Sequence, residues 1–450
     1  MKDSNFLREN NARHLWHPMG HPETVMNNPP NIISKAEGST ITDYEGNTVV
    51  DGVGGLWCVN VGYSCDPIKQ AIIKQMDQLP YYSSFAGSTN EPAIELSYEL
   101  CQMFSEEDMG RCFFTSGGSD SVETSLRLAR QYHKINGHHG RTKFLSLKKG
   151  YHGTHFGGAS VNGNSRFRTN YEPLLPGCYH IPSPYTYRNP FNENDPERLA
   201  DLCVAAAADE IEFQGPDTIA AFIMEPIQGA GGVIVPHHSF MKKMRDLCTK
   251  HGILMIADEV ITGFGRIGDW CGSRHWGVKP DMMTMAKGIT SAYFPFGVCM
   301  VSENIAKRFE QGDSVTGNIG HGYTYSAHPV GAAAALACIK ESQRLNIQTS
   351  AKVRGEQLYK GLEKLKEKYT FIGDVRGGHG LMAGIELVSD VENKTPMGSE
   401  NMNNISAKIF KSGAMVRVGG HNILMSPPCI ITEEEVSQVL NALDKGFSIL

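Results

Sequence analysis

The chain is expected to fold as an α/β protein with a mostly parallel central sheet, helices on both sheet faces, and a smaller α+β domain built from its N- and C-terminal segments. Three observations predict this. Strand and helix patterns alternate from about residue 61 to 330, the signature of a parallel sheet wrapped by crossover helices. Two apolar runs in that stretch stop abruptly at ionisable residues, as buried strands do when they deliver side chains at their C-terminal ends. After Pro329 an Ala-rich helix, residues 330–345, leaves this pattern for a region with its own strands. The expected organisation is therefore an N-terminal segment, 1–60, joining the small domain; a large domain, 61–330, holding any ligand; and a C-terminal small domain, 331–450.

Within residues 1–60, rich in Pro, Asn and His, one hairpin is expected. Runs 39–43 and 48–51 flank the turn signal Tyr44-Glu45-Gly46-Asn47. Strands follow at 112–115, 142–147 and 218–225, the last ending in Glu225, and residues 239–251 read as the crossover helix into the next strand. That strand, from Gly252 to Asp258, ends in an acid; 29 residues on, the run from Pro280 ends in Lys287. In the C-terminal region strands are expected at 380–386 and 422–426.

Bulk properties narrow the function. With 450 residues, 40% hydrophobic and 20% charged, the composition is that of an ordinary globular protein of two or three lobes. A net charge of −6 argues against nucleic acid or an anionic membrane as partner. The first residues lack the apolar core of a signal peptide, and no apolar run reaches membrane-spanning length. Eleven scattered cysteines without a Cys-x-x-Cys pair suit a reducing cytoplasm better than disulfides or zinc, and no metal is expected.

Asp258 and Lys287, each at a strand end, suit pyridoxal phosphate. A lysine can hold the aldehyde as a Schiff base, and an aspartate can keep the ring nitrogen protonated. Spacing alone equally allows a structural Asp–Lys ion pair. Thr115-Ser116-Gly117-Gly118-Ser119-Asp120, between a strand and an amphipathic helix, can cup a phosphate with free N–H groups and a positive helix end. It is neither a Walker loop nor a dinucleotide fingerprint, and by itself it also reads as a plain turn. Tyr151, in Tyr151-His152-Gly153 after a strand, can stack on a flat ring. Val260 can wedge against the opposite face, and the loop 320–329 offers a second anion contact.

Taken together, Glu225-Pro226-Ile227-Gln228-Gly229, Asp258-Glu259-Val260-Ile261-Thr262-Gly263-Phe264-Gly265-Arg266, Ala286-Lys287-Gly288, His321-Gly322-Tyr323-Thr324 and Ser426-Pro427-Pro428 resemble the successive signatures of the class III pyridoxal-phosphate aminotransferases. The resemblance runs in the family's order over roughly residues 15–445. Gly55-Leu56-Trp57, Tyr151-His152-Gly153 and Met415-Val416-Arg417 are most similar to the ω-amino acid (β-alanine or amine)–pyruvate branch.

The resemblance implies the fold type I of pyridoxal-phosphate-dependent transferases and a ping-pong transamination from an ω-amino acid or primary amine to a 2-oxo acid, with pyruvate the acceptor expected in that branch. It implies Lys287 as Schiff-base lysine and Asp258 as pyridinium partner. Gly118, Ser119, Tyr151, His152, Glu225 and Val260 would complete the cofactor site, with Thr324 reaching the phosphate from a neighbouring subunit of a homodimer or tetramer. Met19, Leu56, Trp57, Tyr151, Arg417 and, across the interface, Phe85 would line the substrate pocket. Arg417 would pair with a substrate carboxylate through its planar fork. Another class III reaction, such as an aminomutase or a diamine or taurine aminotransferase, is the alternative.

The chain departs from the family at Ser116-Gly117, at Val418-Gly419-Gly420-His421 after Arg417, at Met19 in place of an aromatic, and at Ser88 where some relatives carry arginine. His17 and His21, His138-His139 and His237-His238 read as loop residues. Lys148-Lys149 and 364–368 read as solvated faces, and Met282, Met283 and Met285 as core packing.

Overall fold

The computed structural model describes residues 3–85 and 87–450. Its central sheet has seven strands: β1 (Met109–Thr115), β2 (Lys143–Leu147), β3 (Cys178–Ile181), β4 (Ile219–Met224), β5 (Leu254–Asp258), β6 (Met282–Met285) and β7 (Gly297–Ser302). Their order is β1-β7-β6-β5-β4-β2-β3. Strands β3, β2, β4, β5 and β6 pair in parallel, while β7 runs antiparallel to both β6 and β1. Every residue of β4 through β7 is buried, so these strands read as continuous apolar runs without alternation.

Neither β7 nor β3 figures among the sequence expectations. Gly297-Val298-Cys299-Met300-Val301 follows a loop rather than a helical pattern, because an antiparallel neighbour needs no crossover helix. Helices Gly118–Ile135, Pro196–Gln214 and Phe240–His251 connect successive parallel strands. No helix among the described residues is long and apolar enough to cross a membrane.

The expected hairpin forms: Thr40–Asp43 pairs antiparallel with Thr48–Asp51. Ile33–Glu37 pairs with its first strand and Ala414–Met415 with its second, so a strand from the N-terminal segment and one near the C-terminus lie side by side. Ile372–Arg376, Ala383–Asp390, Asn422–Met425 and Arg417–Gly419, with Thr395–Pro396 paired to the second of them, form the remaining sheet, under helices Ile347–Lys368, Ser399–Lys411 and Glu433–Phe447. Helix Ile347–Lys368 crosses Gly380 so closely that a side chain at Gly355 would lie 2.0 Å from the Gly380 carbonyl oxygen.

One buried cation ties these layers together. Arg266, fully buried, donates from Nη2 to Asn60 Oδ1 (2.7 Å) and from Nη1 to the carbonyls of Leu381 (3.2 Å) and Pro427. Asn60 in turn donates to the Phe264 carbonyl at 2.9 Å. A single side chain thus satisfies acceptors from the N-terminal segment and from two places in the C-terminal region. Leaving those buried acceptors unpaired is costly. Arg266→Met should lower the unfolding free energy by on the order of 3 kcal/mol, read from the urea midpoint; a loss below about 1 kcal/mol would refute this bracing role.

Candidate active site

The parallel register of β5 on β6 sets Asp258 opposite Thr284, three residues before Lys287. Asp258 is almost completely buried, and its charge is met on every side. Oδ2 pairs with His152 Nδ1 at 2.8 Å; Oδ1 accepts from Thr284 Oγ1 and from the Val260 N–H, each at 3.2 Å. A buried carboxylate persists only with such partners. Because Asp258 accepts, His152 carries its proton on Nδ1.

Lys287 takes a left-handed backbone conformation, φ 47°, that an L-residue adopts at a cost of about 1–2 kcal/mol. Gly288 behind it leaves no space for a side chain: a Cβ there would lie 2.5 Å from Asn60 Nδ2. Burial pushes the Lys287 ammonium below its ordinary pKa, against the opposing pull of Asp258, Cys58 and Glu225. Its Nζ makes no hydrogen bond with any described residue.

Glu225, just past β4, accepts from the Tyr151 N–H through Oε1 and from the Gly229 N–H through Oε2, both at 2.9 Å. Burial pushes its carboxyl up to about 7; the His152 proton opposes this and the charge of Asp258 adds to it. The segment 151–154 is splinted residue by residue. The His152 N–H donates to Asn162 Oδ1 (2.5 Å), Asn162 Nδ2 donates to the Gly153 carbonyl (2.9 Å), and the Thr154 N–H reaches Ser119 Oγ (3.3 Å). Gly153, at φ 89°, sits where a Cβ would come within 2.6 Å of Ser119 Oγ. The Tyr151 ring is propped edge-on by Phe167 at 4.8 Å.

Ser119 opens helix Gly118–Ile135, whose N-terminus has no side-chain cap. Asp120 turns back to accept from the Ser116 N–H at 3.0 Å and pairs with His155 Nε2 at 2.7 Å. The N–H groups of Gly118, Ser119 and Asp120 make no bond within the described chain, so a helix-end anion cup is in place. Val260 lies directly over it: a Cβ at Gly118 would be 2.9 Å from Val260 Cγ1. The residues present therefore fit pyridoxal phosphate: Gly118 and Ser119 for its phosphate, Asp258 for its ring nitrogen, Tyr151 and Val260 for its faces, and Lys287 for its aldehyde.

The residues expected to contact substrate are placed less uniformly. Arg417, half-buried on its short strand, has no carboxylate partner among the described residues. Burial and the charge of Arg166 hold its guanidinium below its ordinary pKa. Trp57 is 3% exposed, at φ 65°, and packs with Ile227, Val233, Ile261 and Leu424, so it forms a wall, whereas neighbouring Leu56 is 53% exposed. Met19 is exposed, its carbonyl accepting from Arg166 Nη2 at 3.4 Å. Phe85 lies against Gly322, and the exposed Thr324 accepts through its carbonyl from Tyr81 OH at 2.7 Å. No hydrogen bond joins Thr324 to Ser119 or Lys287 of the same chain.

Two residues of the site escaped the sequence reading. Thr284 could have been found by reading β6 in parallel register with β5. Asn162 carries no sequence signal, since nothing in Val161-Asn162-Gly163-Asn164 distinguishes it from an ordinary turn residue.

Residues 21–447 match the family Aminotransferase class-III, so the chain belongs to that family and is a pyridoxal-phosphate-dependent aminotransferase. An amine transaminase from an uncultivated Pseudomonas species, solved in its PLP-bound form, matches with a TM-score of 0.95 and 43% identity, over 97% of this chain and 98% of that one. An (S)-enantioselective ω-transaminase from Thermomicrobium roseum matches at 0.95 and 35%, over 100% and 99% of the two chains. Putrescine–pyruvate aminotransferase of Pseudomonas aeruginosa is 36% identical over 92% of this chain and 90% of its own. The architecture is accordingly the fold type I of pyridoxal-phosphate-dependent transferases.

Asn162→Ala should weaken pyridoxal phosphate binding by about tenfold or more, because the His152 N–H and the Gly153 carbonyl both lose their partner. Unchanged cofactor retention on dialysis would show that the splint is dispensable. Glu225 supplies a pH test. Its folded pKa of about 7 lies above the ordinary 4.5, so between these values the native state keeps a proton that the unfolded chain releases. Stability from this group therefore falls as pH rises through that window. Relative to the wild type, Glu225→Gln should gain roughly 2–3 kcal/mol from about pH 5 to about pH 8 in the apo protein's unfolding free energy; parallel profiles would contradict the shift.

Proposed function

We propose that this aminotransferase moves an amino group from an ω-amino acid or primary amine to a 2-oxo acid, with pyruvate as acceptor and alanine as product, in two ping-pong half-reactions. The observation that carries this reading is Arg417: a half-buried guanidinium with no carboxylate of its own, electrostatically within reach of Tyr151. Such a cation is suited to a carboxylate brought by the substrate. It can pair with the carboxylate of the oxo acid and turn aside for donors that lack one. The named activities of the amine transaminase and of the putrescine–pyruvate aminotransferase support the same assignment.

Pyridoxal phosphate, when bound, supplies the aldehyde that carries the amino group and a ring that takes up the electron pair left at the donor carbon. The chain supplies the rest. Lys287, whose ammonium is disfavoured by burial, is the group to take the proton from the donor carbon and return it on the other side of the transfer. Asp258, held by His152 and Thr284, keeps a proton on the ring nitrogen. Tyr151 and Val260 fix the plane, while Trp57 and Leu56 shape the donor pocket.

A homodimer, alone or paired into a tetramer, would account for the exposed apolar side chains of Tyr82, Phe85, Ile94, Tyr98 and Tyr325. It would bring Thr324 and Phe85 to the neighbouring subunit's site. The eleven unpaired cysteines support a reducing, cytoplasmic setting.

The two half-reactions can be followed separately by the change of cofactor absorbance. Lys287→Ala should leave cofactor bound through its phosphate but abolish turnover, and normal rates would end the proposal. Arg417→Met should slow the pyruvate half-reaction by roughly 10–100-fold while leaving the half-reaction with an arylalkylamine that lacks a carboxylate within about twofold. Equal losses in both halves would deny Arg417 its carboxylate role.

A further inference from the structure

We infer that a cavity behind the Tyr151 loop is a binding site for a small polyanion of the oligophosphate class. The cavity, of about 530 Å³, is lined by Lys148, Lys149, Arg188 and Lys394 together with Ser183 and several asparagines, and no acidic residue among the described residues lines it. The sequence reading treats Lys148-Lys149 as a solvated face. The structure agrees for Lys148, which is exposed, but not for Lys149, which is half-buried.

Neither lysine's ammonium makes a hydrogen bond or ion pair with a described residue. The Lys149 ammonium lies 5.5 Å from the centre of the Tyr185 ring. Its backbone is in the left-handed region, φ 65°, fixed by its N–H donating to the Gly163 carbonyl at 2.8 Å. A lysine drawn inward without a counter-charge is uncommon. Burial lowers its pKa, and the charges of Arg188 and Arg376 lower it further, against the pull of Glu386.

The other two cations are only partly engaged. Arg188 gives Nε to Glu386 Oε1 (2.5 Å) and Nη2 to the Lys394 carbonyl, leaving Nη1 free; Lys394 Nζ donates once, to the Tyr187 carbonyl at 2.8 Å. Three of the four groups are ammoniums. As point charges with rotatable donors they suit the several oxygens of a phosphate chain, whereas a planar carboxylate is matched best by guanidinium forks.

The site does not touch the reacting atoms, and occupancy has a physical route to them. Glu386, which Arg188 holds, also pairs with His421 Nε2 at 3.3 Å. His421 sits at the turn of the hairpin whose first strand begins with Arg417. The Lys148 carbonyl, on the cavity's other wall, accepts from Gln228 Nε2 at 2.9 Å, three residues before the cofactor loop.

The test uses holoenzyme, so that the cofactor's own phosphate cup is filled, with pyrophosphate and citrate titrated by calorimetry at constant ionic strength. Pyrophosphate should bind with a submillimolar Kd and at least about tenfold more tightly than citrate. The double variant Lys148→Gln/Lys394→Gln should weaken pyrophosphate by at least about tenfold, with basal turnover and the cofactor's absorbance unchanged. No binding at several millimolar pyrophosphate, or binding undiminished in the double variant, would overturn the assignment. Equal binding of citrate would overturn its phosphate character.

Discussion

The site rests on one register. Parallel pairing of β5 with β6 puts Asp258 level with Thr284, so the acid at one strand end and the amine just past the next are side by side before any loop is considered. A one-residue slip would turn Asp258 to the opposite face of the sheet. The register is secured by burial: every residue of both strands is covered, and their side chains pack into two layers on either side of the sheet.

Around that register the chain solves a solvation problem. A carboxyl in a dry place needs hydrogen-bond donors, and Asp258 has three on its two oxygens. The nearby carboxyl of Glu225 faces the same dryness with only two backbone donors, and its affinity for a proton rises. Two acids one strand apart thus differ in their hydrogen-bond partners. The lysine opposite them is destabilised as a cation, the condition a proton-transfer base requires.

Much of this is legible in the sequence because strand ends are where apolar runs break. Asp258, Glu225 and Lys287 each close such a run, and Gly118-Ser119 opens a helix after another. What stays hidden is whatever depends on non-local pairing. The β7 strand lacks the crossover helix that announces a parallel neighbour. Asn162 earns its place only because residues 152–153 fold back onto it. The inward turn of Lys149 follows from a left-handed backbone that a Lys-Lys pair does not advertise. The burial of Trp57 likewise comes from apolar residues some 170 to 370 positions away.

Arg266 carries a consequence for how molecules enter. Because one fully buried guanidinium fastens Asn60, Leu381 and Pro427 to the segment that follows Asp258, the N- and C-terminal layers cannot swing away from the central sheet without stranding a charge in apolar surroundings. Any opening of the site by movement of these layers would therefore have to break the Arg266 bonds first.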